Sequence, residues 1–311
     1  MHDIVHHNGQ LLPLRNVRLS PGQSGLFSGW GLFTTVRVYD GQPFAFDRHL
    51  RRLRLDARRT DTPFAFADDD LLEALLQVVE ANGVPNCSAR LYFTNNTVGP
   101  WHGTEPLPAT DLLVCTADLP THRSPARLTV VDSARHAGHP LAGVKVLSWL
   151  GNSWVTARAR EQGYDEAVLL NEHGSVSECA SANLFAVRDG IAYTPPLSSG
   201  CLPGVTREVL LEIGGAGSAG VTREVLMETG DASPLAVRER DLRLNDLLAA
   251  DEVFMTSTTR EVLPVASVDD QPIAAADGPV SRALAAAFSA RVAADLLRGA
   301  ASADRAAAPD R

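Results

Sequence analysis

The chain of 311 residues is long enough for one large domain or two of ordinary size, each with its own core. Its formal net charge of −9 argues against a general nucleic-acid binder, and no apolar run approaches the roughly 18 residues that span a bilayer. The N-terminus lacks a basic segment followed by an apolar stretch, and the four cysteines form no CxxC pair. These features predict a cytoplasmic protein without a metal site, a disulfide framework, a nucleic-acid partner or a membrane partner.

Strand and helix patterns alternate over residues 1–119, which predicts a small α+β domain. β-branched and aromatic residues indicate the strands, an Asp-Gly pair marks a hairpin, and acidic residues at two helix starts suit the positive end of a helix dipole. The predicted elements are strands at 4–5, 31–39, 43–46, 89–93 and 111–115, and helices at 47–59 and 68–83.

The remainder of the chain predicts a larger sheet-and-helix domain. Residues 120–126 contain two prolines and are a predicted linker to the large domain at 127–298. The last residues, 299–311, are rich in Ala, Asp and Arg and are predicted to form a disordered tail. The predicted elements of the large domain are strands at 128–131, 144–147, 166–170, 183–187, 191–193 and 252–256, and helices at 152–162 and 283–297.

Lysine occurs once in the chain. All of the 28 basic residues except Lys145 are arginines. Arginine meets the usual needs for positive charge, but its pKa above about 12 prevents it from acting as an amine nucleophile. The lone lysine is therefore a candidate for chemistry that only an amine performs, namely a Schiff base with a carbonyl. The alternative is that an arginine-biased coding sequence left one lysine by chance.

Several further segments have the chemistry to bind a flat, phosphorylated ring. Glu178 lies among small residues at the start of a predicted strand, where a carboxylate could keep a pyridine nitrogen protonated. A Pro-Gly pair before a predicted helix, hydroxyl residues after a predicted strand and an early arginine each suit an anion. Taken singly, these are also ordinary capping and turn residues. The candidate phosphate ligands are Arg52, Val205, Thr206, Ser257 and Thr258.

The order of these segments resembles that of the class IV (fold type IV) pyridoxal-phosphate enzymes. This superfamily includes branched-chain and D-amino-acid aminotransferases and 4-amino-4-deoxychorismate lyase. The resemblance covers residues 5–270 and implies a two-domain fold of mixed α+β and α/β character, with a larger C-terminal cofactor domain, and a homodimer. The segments that carry it are 31–37, 49–53, 144–152, 163–167, 174–185, 194–196, 202–207 and 250–258.

The resemblance also implies roles for individual residues. Lys145 would form the Schiff base with pyridoxal 5′-phosphate and then move the α-proton of the substrate, and Glu178 would pair with the pyridinium nitrogen. Arg52, Val205, Thr206, Ser257 and Thr258 would hold the phosphate. Tyr164 and Asn183 would lie near the site without an assigned role. The candidate substrate-binding residues are Phe33, Arg37, Arg90 and Thr259.

Two reactions of the superfamily fit the same cofactor residues. Thr34-Thr35 and residues 178–183 favour the lyases, whereas the lysine segment and residues 254–258 favour the aminotransferases. We predict a transaminase that moves an amino group between an amino acid or amine and a 2-oxo acid. The first alternative is 4-amino-4-deoxychorismate lyase, which releases pyruvate and 4-aminobenzoate. The second alternative is a catalytically silent scaffold.

Two departures from the family pattern concern the substrate side of the site. Trp30 stands where family members commonly have an aspartate, so the substrate-side wall is expected to differ. The segment 95–102 lacks the Arg-Gly turn that often follows the preceding strand. The group that receives the substrate carboxylate is therefore not identified by the family pattern, and Arg37 and Arg90 are the candidates.

A third departure is a duplication. Residues 204–210 recur as residues 220–226, and the Gly-rich stretch 214–220 joins the two copies, which indicates a local duplication and not a solenoid. Two Gly-Val-Thr-Arg segments, 204–207 and 220–223, therefore compete as the phosphate-binding segment. The first follows Leu-Pro as in the family, whereas the second lies at the family's usual distance from the next motif. We favour the first copy.

Overall fold

The computed structural model describes residues 1–99, 103, 106–215 and 235–307, with side chains to Arg298. The chain divides into two compact units. The first comprises Met1–Thr121 and Gly143–Ser153, and the second comprises His122–Ala142 and Trp154–Arg311. The Lys145 segment thus belongs to the first unit, whereas the sequence pattern predicts it in the large domain at 127–298.

In its described residues, the first unit contains a six-stranded antiparallel sheet and three helices. Its strands are β1 (Ile4–His7), β2 (Gln10–Pro13), β3 (Gly31–Tyr39), β4 (Gln42–Pro43), β5 (Cys87–Asn95) and β6 (Thr110–Ala117). They are ordered β2-β1-β6-β5-β3-β4. The helices are α1 (Ser24–Ser28), α2 (Phe46–Arg59) and α3 (Asp68–Asn82), and a short 3-10 turn spans Leu14–Asn16.

Helices α2 and α3 cover one face of this sheet. Leu50 of α2 and Leu75 of α3 share a buried core with alternate residues of β3 and β5, among them Leu32 and Leu91. Because side chains alternate across a strand, the residues between them point to the opposite face. Phe33 is one of these, and the sheet therefore presents its remaining side chains on the face away from the helices.

Two predicted strands of this unit are shorter in the structure. The returning strand predicted at 43–46 ends at Pro43, because Ala45 adopts a left-handed conformation (φ 51°) from which α2 begins. The strand predicted at 144–147 is a single bridge between Val146 and Leu32. Its flanking hydrogen bonds run from Phe33 N–H to the Lys145 carbonyl (3.1 Å) and from Leu147 N–H to the Gly31 carbonyl (2.9 Å). This pairing with β3 is why the Lys145 segment packs with the first unit.

The second unit is built on a mixed sheet. The strands are β7 (Ala126–Arg135), β8 (Glu166–Asn171), β9 (Val176–Cys179), β10 (Asn183–Arg188), β11 (Ile191–Thr194), β12 (Ala236–Glu239), β13 (Glu252–Ser257), β14 (Glu261–Val268) and β15 (Gln271–Pro272). Their order is β12-β11-β10-β13-β14-β7-β8-β9, and β15 pairs with β14. β7 is parallel to β8 and β14, and β11 is parallel to β12. The remaining pairs are antiparallel.

Apolar side chains cover both faces of β10 and β13. Leu184 and Met255 lie opposite each other in the core on one face. Phe185 and Phe254 stack on the other face, with ring centroids 4.8 Å apart. A strand with two buried faces reads as a continuous apolar run, as residues 184–187 of β10 do.

The helices of the chain's second half differ from the predictions mainly at the C-terminus. They are α4 (Leu150–Glu161), α5 (Val205–Gly214), α6 (Leu244–Leu248) and α7 (Pro279–Ala307), and a 3-10 turn spans Leu197–Ser199. Helix α7 continues past the predicted end at residue 297 into the predicted disordered tail, because its alanines have high helix propensity. Residues 308–311 of that tail lie outside the described residues. Within the described residues, no helix combines the length and apolar character that a bilayer crossing requires.

The start of α7 is held by a carboxylate from β13. Both oxygens of the buried Glu252 accept helix N–H groups, from Val280 (2.9 Å) and Ser281 (2.8 Å). The first N–H groups of a helix have no intrahelical acceptor, and an anion there also interacts favourably with the helix dipole. Glu252 therefore does from a neighbouring strand what a capping residue does within a helix.

We expect Glu252→Ala to lower the free energy of unfolding by about 1–2 kcal/mol, because the two N–H groups lose their acceptor. Glu252→Gln, which keeps one acceptor oxygen, should cost less. Urea unfolding followed by circular dichroism measures both, with Glu80→Ala on the exposed side of α3 as the control. Equal stability of wild type and Glu252→Ala would contradict the capping role.

Candidate active site

Lys145 lies on the extended segment beside β3 and is half buried. Its carbonyl accepts from Phe33 N–H (3.1 Å), and its own N–H donates to Oδ2 of Asp56 on α2 (3.2 Å). Both backbone polar groups of the lysine are therefore fixed, one by a strand and one by a helix. The side chain projects from a backbone that has little freedom to move.

Two aromatic rings flank the lysine amine. Nζ of Lys145 lies 4.4 Å from the centroid of the Phe33 ring and 4.9 Å from that of Trp149. The two rings meet edge to face, with centroids 5.4 Å apart. The negative face of an aromatic ring attracts an ammonium group without supplying a hydrogen-bond acceptor. The amine thus has apolar surroundings on two sides.

Arg52 lies on the inner face of α2 and is 7% exposed. Its Nη2 donates to Thr34 Oγ1 (3.0 Å), and that oxygen lies 2.8 Å from Nδ1 of His49. Burial, together with the charges of Arg52 and Lys145, lowers the pKa of His49 well below its usual value of 6.5. His49 is therefore neutral at physiological pH and adds no charge beside the arginine.

Asp56 is a buried acid in the same cluster. It lies one helical turn after Arg52 on α2, so both side chains lie on the inner face of the helix. Burial raises the pKa of Asp56, and the hydrogen bond from Lys145 N–H and the charge of Arg52 oppose that rise. The first unit thus places one carboxylate, one guanidinium and one amine in a single neighbourhood.

Glu178 lies on β9 in the second unit, and both of its oxygens are engaged. Oε1 is 2.8 Å from Nη2 of Arg135, and Oε2 accepts the N–H of Leu202 (3.0 Å). A carboxylate has about four acceptor positions, which is more than these two donors use. The ion pair and the amide fix the orientation of the Glu178 carboxylate.

The N-terminus of α5 lies close to Glu178. Asn183 Nδ2 donates to the carbonyl of Leu202 (2.9 Å), and a Cβ added at Gly204 would overlap Asn183 Oδ1. Only glycine therefore allows this approach, and α5 begins directly after it with Val205. The N–H groups at such a helix start favour an anion. The competing segment 220–223 lies outside the described residues.

The turn between β13 and β14 carries the remaining predicted phosphate ligands. Ser257 is the last residue of β13 and pairs with Glu261, with Thr258 in the intervening turn. The neighbouring pair, Asn183 with Thr256, connects this turn to the residue that contacts Gly204. The second unit thus brings together the predicted carboxylate, helix start and hydroxyl turn in one region.

The predicted substrate-binding residues fall into two groups. Phe33, Arg37 and Arg90 project from the face of the first sheet opposite α2 and α3. The guanidinium carbon of Arg90 is 5.6 Å from the Phe33 ring centroid, and that of Arg37 is 4.6 Å from the Tyr39 ring centroid. Thr259 lies in the turn of the second unit.

Sequence reasoning did not find several neighbours of these residues. The sequence does indicate that Asp56 is unusual, since a charged residue at this position interrupts the apolar helix face formed by Leu53 and Ala57. No sequence pattern indicates the role of Arg135, because its pairing with Glu178 depends on tertiary contacts. Tyr164, which has no assigned role, donates its hydroxyl to Asp270 (2.8 Å).

The donors and acceptors suit pyridoxal phosphate. Lys145 supplies an amine, Glu178 a carboxylate held in a fixed orientation, and the glycine cradle at Gly204 leads to the N–H groups of a helix start. These are the partners that an aldehyde, a ring N–H and a phosphate require. Sequence and structure comparisons identify proteins with the same architecture.

Residues 31–217 and 212–268 match the model of the family described as amino-transferase class IV. The branched-chain-amino-acid aminotransferase of Salmonella typhimurium is 29% identical over 299 residues, 92% of each chain. The Escherichia coli branched-chain amino acid aminotransferase structure has 28% identity and a TM-score of 0.79, with 94% of this chain and 95% of that chain covered. The T.th. branched-chain amino acid aminotransferase complexed with N-(5′-phosphopyridoxyl)-L-glutamate has 28% identity and a TM-score of 0.78, with the same coverage.

The two ranges matched by the family model overlap at residues 212–217, between the two Gly-Val-Thr-Arg copies. The first range includes the copy at 204–207, and the second includes the copy at 220–223. An inserted duplicate explains this arrangement. The first copy completes the family pattern that precedes it in the chain, and the second copy begins the family pattern that follows it.

We expect His49→Gln to remove part of the acid sensitivity of the fold. The pKa of His49 is lowered on folding, so below pH 6.5 the unfolded chain gains a proton that the folded chain does not bind. Between pH 6.5 and 5.5 the wild type should lose about 1 kcal/mol more unfolding free energy than the variant.

Urea unfolding at pH 7.5, 6.5 and 5.5 measures this difference. Glutamine keeps a polar group beside Thr34 but does not titrate in this range. His139→Gln, at an exposed position, is the control and should follow the wild type. Parallel pH profiles of the wild type and His49→Gln would show that His49 gains a proton in the folded chain as readily as in the unfolded one.

Proposed function

This chain belongs to the class IV aminotransferase family, and from that premise we propose which of its residues carry out amino transfer. It is a pyridoxal-phosphate-dependent transaminase, and the predicted family, mixed fold class and cofactor are confirmed. The lyase alternative is not favoured, because the Escherichia coli branched-chain aminotransferase structure matches at 28% identity with a TM-score of 0.79, above the 25% and 0.73 of a putative 4-amino-4-deoxychorismate lyase from Legionella pneumophila. The scaffold alternative is not supported, because these relatives are named as enzymes.

The observation that carries the proposal is the position of the only lysine. When bound, pyridoxal phosphate supplies an aldehyde that bonds an amine and a ring that accepts electrons. Lys145 is the amine that attaches to it and then moves the substrate's α-proton. Its backbone is fixed on both sides, and its Nζ lies near the rings of Phe33 and Trp149.

Glu178 is the proposed partner of the ring nitrogen. Arg135 and the Leu202 amide hold its two oxygens, so the carboxylate needs no reorientation to accept a ring N–H. A fixed negative charge at that position favours electron flow into the ring, and such prepositioned charges contribute strongly to catalysis. Arg135 acts through Glu178 and is a positioning residue.

The phosphate group is assigned to the first Gly-Val-Thr-Arg copy and the β13–β14 turn. Val205 and Thr206 supply N–H groups at the start of α5, Ser257 and Thr258 supply hydroxyls, and Arg52 supplies a positive charge. The contacts of Leu202 with Glu178 and of Gly204 with Asn183 support the first copy. They tie this helix start to the proposed ring-binding carboxylate.

Arg37 and Arg90 are the proposed partners of the substrate carboxylate. The register pairs Thr35 with Arg90 and Arg37 with Ser88, so the arginines are diagonal neighbours on one face. Phe33 and Thr259 are the further proposed substrate contacts. The relatives' names suggest branched-chain amino acids as amino donors and a 2-oxo acid as acceptor.

The resemblance to homodimeric enzymes also leads us to propose a homodimer, and the cysteine pattern leads us to propose a cytoplasmic location. Light scattering of the purified protein tests the dimer. A monomer in solution would contradict it.

A half-reaction screen tests the proposed substrates. Purified enzyme is mixed with L- and D-amino acids and amines, and absorbance follows the conversion of bound cofactor to pyridoxamine phosphate. Conversion by branched-chain amino acids is the expected result. Release of pyruvate and 4-aminobenzoate from aminodeoxychorismate, without amino transfer to 2-oxoglutarate, would establish the lyase instead.

We expect Lys145→Ala to lower kcat by at least about 100-fold, because the proton-transfer group is lost. Borohydride reduction of the wild type followed by peptide mapping should find the cofactor on Lys145, and reduction of the variant should trap none. Lys145→Arg keeps the positive charge and should be as inactive as Lys145→Ala. Cofactor found on another residue of the wild type would refute the assignment.

We expect Glu178→Gln to lower kcat by about 100- to 1,000-fold, because a neutral amide supplies no negative charge to the ring. The KM for the amino donor should change little, since Glu178 is not assigned to the substrate. Steady-state kinetics of purified holoenzyme measures both constants, and Glu80→Gln on the exposed side of α3 is the control. A Glu178→Gln variant with unchanged kcat would exclude this role.

A further inference from the structure

A buried ion pair lies beneath the β13–β14 turn. Nη2 of Arg260 is 3.1 Å from Oε2 of Glu166, and their side chains are 8% and 0% exposed. Taking two charges out of water costs several kcal/mol per ion before their attraction is counted. Such a pair is weak evidence for stability, and the placement of its partners indicates another role.

Glu166 is surrounded by donors from three places in the second unit. Its oxygens accept from the Ser181 hydroxyl, the Ala167 N–H (3.2 Å) and the Thr156 hydroxyl (3.5 Å), in addition to Arg260. Glu166 begins β8, and Ser181 lies in the turn between β9 and β10. The carboxylate is thus a fixed anchor to which the arginine is tied.

The other side of Arg260 faces Ser257. The Arg260 N–H (3.3 Å) and Nη1 (3.4 Å) both point to Ser257 Oγ, and Nη1 also donates to the Ser181 carbonyl (3.3 Å). With its oxygen accepting from these donors, the Ser257 hydroxyl keeps its own hydrogen to donate. Phosphate oxygens are acceptors, so this polarity suits a phosphate group.

We propose that Arg260 is a positioning residue that sets the Ser257-Thr258 turn for the phosphate group of the cofactor. Glu166 holds the guanidinium, and the guanidinium holds the hydroxyl. The inference rests on the proposed function, which assigns Ser257 and Thr258 to the phosphate. Arginine suits this task because its planar fork reaches Glu166, Ser181 and Ser257 together, which a lysine ammonium on a flexible stem cannot do.

The proposal makes a phosphate-specific prediction. The apo form of the full chain is titrated with pyridoxal 5′-phosphate and, separately, with pyridoxal, which lacks the phosphate. Arg260→Lys should raise the dissociation constant for pyridoxal 5′-phosphate about tenfold, the loss expected for one hydrogen bond to a charged group. Its dissociation constant for pyridoxal should stay within about twofold of the wild type.

Two further variants serve as a control and as a replacement for a variant that fails to fold. Arg127→Lys alters another ion-paired arginine of the same unit, 2.6 Å from Asp270, and should leave both constants unchanged. If Arg260→Lys does not fold, Arg260→Met combined with Glu166→Gln removes both charges together and leaves no lone buried ion. That double variant should show the same selective loss of affinity for pyridoxal 5′-phosphate.

Each remaining outcome overturns the proposal. Equal weakening of both ligands would make the ion pair a structural element only, and unchanged affinity for both would remove Arg260 from the site. Wild-type protein that binds pyridoxal as tightly as pyridoxal 5′-phosphate would contradict the phosphate assignment itself. The proposed function itself is tested separately, by the kcat of Lys145→Ala and by borohydride mapping of the residue that carries the cofactor.

Discussion

The hydrogen bond from Lys145 N–H to the buried Asp56 carboxylate is the constraint on which the site depends. It joins the segment that carries the amine to α2, the helix that also carries Arg52 and His49. Pairing with β3 fixes the other side of the same backbone. A short extended segment with one bridge to a sheet would otherwise have little reason to hold one conformation. The carboxylate makes the lysine part of a helix-and-strand framework.

Several arginines hold other residues of the second unit in place through ion pairs and hydrogen bonds. Arg135 pairs with the buried Glu178, and Arg260 joins the buried Glu166 to the Ser257 hydroxyl and the Ser181 carbonyl. The buried Arg207 joins Glu239, which is exposed, to the Pro195 carbonyl. A guanidinium stays charged in such places and its fork satisfies several acceptors at once. These three arginines have a structural task, whereas the proposed chemistry rests on the single lysine.

The second unit shows why the first copy of the duplicated segment suits a phosphate. A free helix start is common, but here Gly204 allows Asn183 to approach, and Leu202 contacts Glu178. Leu202 thus contacts both the Glu178 carboxylate, through its N–H, and Asn183, through its carbonyl, two residues before Gly204. The contact of Leu202 with Glu178 belongs to a residue before the repeat, so the repeated sequence alone does not specify it.

The sequence by itself showed that Lys145 is the single lysine and showed the order of the motifs. It also predicted the strand β3 and the helices α2 and α3, because periodicity and end residues are local signals. These were sufficient for the family and the cofactor. The tertiary structure decided that the Lys145 segment packs with the first unit, that Asp56 holds it, and that Arg135 and Arg260 pair with glutamates. Such pairings join residues far apart in the chain, and no local pattern specifies which distant side chains a fold brings together.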